Sequence, residues 1–284
     1  MSDIATRPRR SLLFVPGLRP DRFGKALGSG ADIVCVDIED AVAMPRKEEA
    51  RALSLPLFAE DYAGGVERML RVNPLSTEEG LRDVLALKAC GTPPPALMLA
   101  KVGSAEEIAL YDALLDGNCA GIRYHVIVES TDGLANVQDI ARASGRIDSL
   151  LFGAVDMSAD LRAEQSWEAM LYARSAVVHA AARNGLDLLD VPWLNLADPD
   201  GLATEARASA ALGFTGKAAI HPDQIPVINE IFSPSAEEIE RARRIVAAFR
   251  ENDTGLLVVD GALIERPVLR TMQRTLAIAD RLAT

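Results

Sequence analysis

Residues 31–42 read ADIVCVDIEDAV. Ile33, Val34, Cys35 and Val36 form an unbroken apolar run of about strand length. A strand becomes near-continuously apolar, rather than alternating, when both faces of its sheet are covered. Asp37, Glu39 and Asp40 follow at once. A doubly covered strand that ends in carboxylates has the form of an α/β strand delivering charge to a site.

The same unit recurs along the chain. Apolar runs appear at SLLFVPG from Ser11, RMLRVN from Arg68, ALMLAKV from Ala96 and RYHVIVES from Arg123. They continue at SLLFGAVD from Ser149, LDLLDVPW from Leu186 and GKAAIHP from Gly216, which with ADIVCVD makes eight. Helical patterns fill the intervals. Pro45 suits a helix start, Ser76 a helix cap, and Ser104 with Glu107 a capping box. Gly91, Gly117, Gly145, Gly185 and Gly213 stand where helix ends favour a left-handed residue. Eight such βα units predict a (β/α)8 TIM barrel. An open doubly wound sheet is the alternative, but no G-x-G-x-x-G follows the first strand. The expected organisation is one domain over 1–284, with the barrel in 1–233. A C-terminal helical extension over 234–284 exceeds what a barrel needs, and could cap the barrel or reach a neighbouring subunit.

The chain has 284 residues, 49% of them hydrophobic, enough for a sizeable core. No run approaches the roughly 20 apolar residues of a membrane span. The N-terminal MSDIATRPRRSLLF lacks the pattern of a secretory signal. Cys35, Cys90 and Cys119 are odd in number and scattered, which suits a reducing cytoplasm. Net charge is −11 and no basic block is visible, which argues against nucleic-acid binding. His125, His179 and His221 lie far apart without zinc-ligand spacing.

In a barrel, the site forms at the carboxyl ends of the strands. The polar residues there are Asp37, Glu39 and Asp40, then Arg71 and Asn73, Lys101, Glu129, Asp156, Asp190 with Asn195, and His221. Glu129 and Asp156 each follow an apolar run on neighbouring units. Two carboxylates held together call for a positive charge between them, and a hard divalent cation such as Mg²⁺ fits. The plainer alternative is that they cap helices or pair with Arg or Lys. Asp40 and Glu39 could likewise pair with Arg46 and Lys47. Arg71, in an apolar run, needs an anion: a substrate carboxylate, or Asp37 or Glu39. Arg19, Arg22 and Lys25 cluster where the first loop enters a helix, and read either as a phosphate site or as solvated surface.

The run from Ser11 to Val42, with LRVN, MLAKV, VES, FGAVD, GFTGKAAIHPDQI and VDGALIERPVL, resembles the citrate lyase beta-subunit-like family, which includes malyl-CoA and citramalyl-CoA lyases. The likeness spans essentially the whole chain. It implies a (β/α)8 barrel assembled as a trimer or larger homo-oligomer, such as a hexamer. The reaction implied is a Mg²⁺-dependent carbon–carbon lyase reaction on an acyl-CoA thioester. On this resemblance Glu129 and Asp156 are the metal ligands, with Asp37 and Glu39 beside the metal. Arg71 binds the keto-acid portion and stabilises the enolate oxygen. Phe14, Pro16, Arg19 and Lys25 form the CoA-binding edge, and Lys101 belongs to the substrate site. Glu265, where many relatives carry aspartate, would transfer the proton at the acyl carbon from the tail of a neighbouring subunit; otherwise it pairs with Arg266 or Arg270. Competing readings are a Schiff-base aldolase using Lys101 or Lys217, a citrate lyase subunit served by an acyl-carrier protein, and a thioester hydrolase on the same scaffold.

Overall fold

The computed structural model describes residues 8–60, 64–250, 257–259 and 262–283. The start of the N-terminal stretch read for a signal, and Asp260 and Gly261 of the VDGALIERP motif, lie outside the described residues. The chain divides into two compact units, one of which is Arg9–Asn229.

That unit is a closed barrel of eight parallel strands in sequence order. The strands are β1 (Ser11–Pro16), β2 (Ile33–Asp37), β3 (Glu67–Val72), β4 (Ala96–Leu99), β5 (Arg123–Val128), β6 (Ile147–Phe152), β7 (Asp187–Asp190) and β8 (Gly216–Ala219). All eight fall on the apolar runs read from the sequence. The helices are α1 (Phe23–Leu27), α2 (Lys47–Ser54), α3 (Glu78–Ala89), α4 (Ala105–Leu114), α5 (Thr131–Ala135) and α6 (Val137–Ile140). They continue as α7 (Ala154–Leu161), α8 (Trp167–Asn184), α9 (Pro199–Leu212) and α10 (Ile225–Ile231).

Strand side chains alternate between the barrel interior and the helical layer. The interior set is Leu12, Ile33, Cys35, Met69, Ala96, Met98, Ile127, Leu151, Leu189 and Ala218, all buried. Two residues further along each strand, the same inward parity reaches Phe14, Asp37, Arg71, Glu129, Gly153 and Val191. One periodicity therefore fills the barrel and also aims the polar residues into its mouth.

Several local expectations need correction. Thr77, not Ser76, caps α3, its hydroxyl accepting from the Gly80 N–H at 3.1 Å. Ser104 occupies the cap position of α4 without a cap bond from its side chain to the helix main chain, while Glu107 accepts from Gly103 N–H at 3.3 Å. Gly185 and Gly213 do close α8 and α9 in the left-handed conformation, with φ of 67° and 118°. Gly117 is also left-handed but opens a 3-10 turn, and Gly91 and Gly145 are not left-handed.

The other unit runs from Glu230. It holds α11 (Ala236–Arg250), an antiparallel strand pair β9 (Leu257–Val259) and β10 (Ala262–Ile264), and α12 (Arg266–Ala283). Helix α11 buries Ala242, Ile245 and Val246, and α11 and α12 pack together. No helix among the described residues is long and apolar enough to cross a membrane.

Candidate active site

A cavity of about 370 Å³ opens at the carboxyl ends of the strands. Its polar lining comes from Asp37, Asp40, Arg71, Glu129 and Asp156. Phe14 and Pro16 from β1 and Val191, Leu194 and Ile220 from beyond β7 and β8 supply apolar wall. Ile127 and Leu151 make an apolar floor beneath them.

Asp37 and Arg71 are register partners on β2 and β3, so their inward side chains stand side by side. Arg71 donates from Nε to Asp37 Oδ1 at 2.8 Å and from a terminal nitrogen to Oδ2 at 2.5 Å. The guanidinium also lies 5.0 Å from the Phe14 ring centroid. Asp37 accepts two further bonds, from the Glu39 N–H at 2.9 Å and the Ala41 N–H at 3.2 Å. Burial disfavours the charged guanidinium, but Asp37 and Glu39 outweigh it and hold Arg71 firmly protonated.

Glu39 is buried and pairs with Lys101 Nζ at 2.8 Å and with Arg71 at 3.6 Å. Lys101 Nζ also reaches Asp40 at 3.3 Å. The expected pairing of the acidic loop with Arg46 is not found, because Arg46 binds Glu49. Lys47 instead donates to the main-chain oxygens of Ile38 and Glu39. Burial pushes the Glu39 carboxyl up despite its cationic neighbours.

Glu129 directly follows β5 and is buried, at 5% exposure. One oxygen accepts the Lys101 main-chain N–H at 2.7 Å. The other lies over Gly153, where any Cβ would stand 2.8 Å from it. Burial pushes the Glu129 carboxyl up to about 8; the Lys101 N–H offsets part of this, and the charges of Asp156 and Glu39 add to it. Asp156 does not close β6 as the sequence suggested. The strand ends at Phe152 and Asp156 sits in the first turn of α7, half-buried at the cavity wall. Among the described residues neither Glu129 nor Asp156 has an ion-pair partner. Arg71 and Lys101 are committed to Asp37, Glu39 and Asp40. The two remaining carboxylates therefore present the uncompensated oxygen pair that a hard divalent cation would satisfy.

Other expected residues fall elsewhere. Asn73 is buried on Asp83, at 2.8 Å. Asp190 points into the helical layer, where burial would raise its carboxyl; Lys217, Arg174 and Ser209 outweigh that and hold it low. Lys217 is buried with its ammonium donating to Asp190, Val191 O and Glu205 within 3.0 Å. An amine so engaged is no Schiff-base nucleophile, and Lys101 is held firmly protonated by Glu39 and Asp40 against the cost of its burial. His221 caps a 3-10 turn, and Asn195 bonds the Ala197 N–H. Arg19 is exposed and paired with Asp21; Lys25 is exposed on α1. Glu265 is exposed just before α12, and among the described residues it pairs with neither Arg266 nor Arg270.

One cluster was not anticipated. Glu67, His125 and Asp148 bring potential ligand atoms within 4.8 Å of one another. They lie at the amino ends of β3, β5 and β6, the end opposite the cavity. The Arg9 guanidinium already sits among them, 2.6 Å from Glu67, 2.8 Å from Asp148 and 3.1 Å from Asp187. This cluster is an internally compensated plug of the barrel floor. Its members are 58 to 178 residues apart in sequence from Arg9, so no local signal reveals it.

A closed (β/α)8 barrel with paired carboxylates at its mouth defines an enzyme of the cation-assisted barrel class. Residues 10–222 match the HpcH/HpaI aldolase/citrate lyase family, and the chain belongs to it as a lyase-type enzyme. The chain is 33% identical to the mitochondrial citramalyl-CoA lyase of Homo sapiens, over 96% of this chain and 86% of that protein. It is also 33% identical to an L-malyl-CoA/beta-methylmalyl-CoA lyase of Cereibacter sphaeroides, over 91% of each. Among solved structures, Mycobacterium tuberculosis CitE in complex with magnesium, acetoacetate and coenzyme A is 32% identical, with a TM-score of 0.79 over 97% of this chain and 99% of that one.

Proposed function

We propose that this protein is a Mg²⁺-dependent carbon–carbon lyase that cleaves a 3-hydroxy-carboxyacyl-CoA of malyl, citramalyl or citryl type to a 2-keto acid and acetyl-CoA. The observation that carries this reading is the pair Glu129 and Asp156, left without a cation beside Arg71 in one cavity. Relatives that act on malyl- and citramalyl-CoA, and one solved with magnesium and coenzyme A, support it.

When bound by Glu129 and Asp156, Mg²⁺ supplies Lewis-acid charge for the anionic oxygens of the substrate. In the cleavage the substrate hydroxyl gives up its proton to water and its oxygen becomes the keto oxygen. The C–C electron pair passes to the thioester as an enolate, and the enolate carbon takes a proton. Arg71, oriented by Asp37 and Phe14, presents fixed positive charge to the developing oxyanion. Asp37 thus acts by holding Arg71. The floor of Ile127 and Leu151 excludes water from the inner side of the cavity. Phe14 and Pro16 at the rim, with Arg19 and Lys25 beyond them, receive the CoA moiety. Glu265 delivers the proton at the acyl carbon from a neighbouring copy. Helix α12 is amphipathic yet buries no residue within the single chain, which fits an extension that caps another subunit of a trimer or hexamer. Three free cysteines fit a reducing compartment.

The test is a keto-acid release assay on purified protein with malyl-, citramalyl- and citryl-CoA, with Mg²⁺ and with EDTA. EDTA-sensitive release is the expected result. Metal-independent release, or none from any thioester, would overturn the reading.

A further inference from the structure

Lys101 stands where a substrate-binding cation would be expected, but its geometry points elsewhere. It is one of only two non-glycine residues among those described with positive φ, at 55°. An L-residue in this conformation carries a steric cost, and such outliers persist where surrounding contacts over-determine them. Here two contacts do so. The left-handed turn after β4 brings the Lys101 N–H to Glu129 Oε1, at 2.7 Å. The same turn sends the side chain across the mouth to Glu39, at 2.8 Å, and Asp40, at 3.3 Å. Its ammonium is thus spent on the acidic loop. Lys101 is also absent from the cavity lining, which includes Glu129, Asp156 and Arg71.

We infer that Lys101 is a positioning residue that sets the coordination of the cation site: its main chain fixes one oxygen of Glu129, and its ammonium holds Glu39 away from the cation. The second role is what the charge arrangement requires. Glu39 is buried, on the same side-chain network as Glu129: both bond to Lys101, one through the ammonium and the other through the main-chain N–H. Its carboxylate lies within 4 Å of only two cations among the described residues, Arg71 at 3.6 Å and Lys101 at 2.8 Å. Without Lys101, Oε2 of Glu39 keeps the Asp40 N–H at 2.8 Å and Arg71 at 3.6 Å, while Oε1 loses the Lys101 ammonium and turns to the strongest positive charge nearby, the bound ion. A third carboxylate there strengthens cation binding and fills a position that substrate oxygens need. Tight metal and slow turnover together are the signature. Loss of a lysine that only binds substrate would raise KM and would not tighten the metal.

The inference rests on the assignment of Glu129 and Asp156 as the cation site, and the test separates the two. Mg²⁺ binding to the full chain is measured by calorimetry for wild type, Lys101→Met and Lys101→Gly, with steady-state kinetics on the cleaved thioester. Wild type that binds no Mg²⁺ overturns the site assignment and the inference with it. With Mg²⁺ bound, both variants are expected to bind the ion several-fold more tightly than wild type. Their kcat should fall by about 10- to 100-fold, the usual range for loss of an outer partner, with KM within about twofold. Glycine retains the N–H and accepts φ of 55° without strain, so Lys101→Gly should melt higher than Lys101→Met yet be equally slow. Unchanged or weaker Mg²⁺ binding, a raised KM with kcat intact, or recovery of kcat by glycine would each overturn the inference.

Discussion

At the scale of single residues, Glu129 carries the largest electrostatic conflict in the mouth. Its carboxyl is pushed up to about 8, from an ordinary 4.5, chiefly by burial. The sign of the consequence follows from linkage. A raised folded-state pKa means the folded chain holds a proton that the unfolded chain has lost. The associated stability is complete below about pH 4.5 and disappears as pH rises through about 8. A divalent ion must displace the same proton. Mg²⁺ affinity should therefore climb by close to tenfold per pH unit between about pH 6 and 8, then level off. Calorimetry in buffers of different ionisation enthalpy would read the released proton directly. Glu129→Gln removes both the ligand and the conflict. It should lose Mg²⁺ binding by at least about 100-fold, abolish turnover, and melt above the metal-free wild type at pH 8. A variant that melts lower there would show that the carboxylate is not strained. The sequence made Glu129 visible because it ends an apolar run. It did not make visible that Lys101 supplies a main-chain bond, because a left-handed backbone at lysine has no compositional marker.

At the scale of elements, the site depends on where β6 stops and α7 starts. SLLFGAVD looks like one strand ending in Asp156, since six of its eight residues are apolar or glycine. Gly153 breaks it. A Cβ there would stand 2.5 Å from Glu129 Cβ and 3.1 Å from Ile127 Cγ2, so only glycine lets β5 and β6 approach at the height of the ligands. The chain turns into α7 at Ala154, and Asp156 is presented from its first turn. Two neighbouring carboxylates thus come from different kinds of element. Gly153→Ala should displace Glu129, costing roughly 1–3 kcal/mol of stability by overpacking. Mg²⁺ affinity should fall with it, while the Arg71–Asp37 pair on β2 and β3 is untouched. Denaturant titration with and without Mg²⁺ would check this, and equal stability with wild-type Mg²⁺ binding would refute it. The capping misreading has a similar origin. Ser76 and Thr77 are both competent caps, and the choice between them is made by Pro74, whose carbonyl accepts from the Thr77 hydroxyl at 2.7 Å and from its N–H at 2.9 Å.

At the scale of the whole molecule, the barrel was legible because one pattern repeats eight times, and the carboxyl-end rule then selected the mouth. The Arg9 plug was not legible, because its partners converge only after closure. The C-terminal unit raises a question that lies beyond a single chain. Its final helix is amphipathic but has no buried residue, and Glu265 stands exposed at its start. If Glu265 completes the site of another copy, Glu129 and Glu265 are separable defects. Glu129→Gln and Glu265→Gln homo-oligomers should each be inactive. Mixed by co-expression, they form some sites that combine an intact Glu129 from one chain with an intact Glu265 from the next. In a closed ring with random assembly, each condition holds for half the subunits, so about a quarter of wild-type activity should return. If both residues serve the same chain's site, every site in the mixture lacks one of them and activity stays at zero. The mixture thus decides whether the site is shared, and does so without an independent measure of oligomer size. It also explains why an acid so distant from the barrel mouth in sequence would lie on an extension: a proton donor carried by a neighbour couples catalysis to assembly.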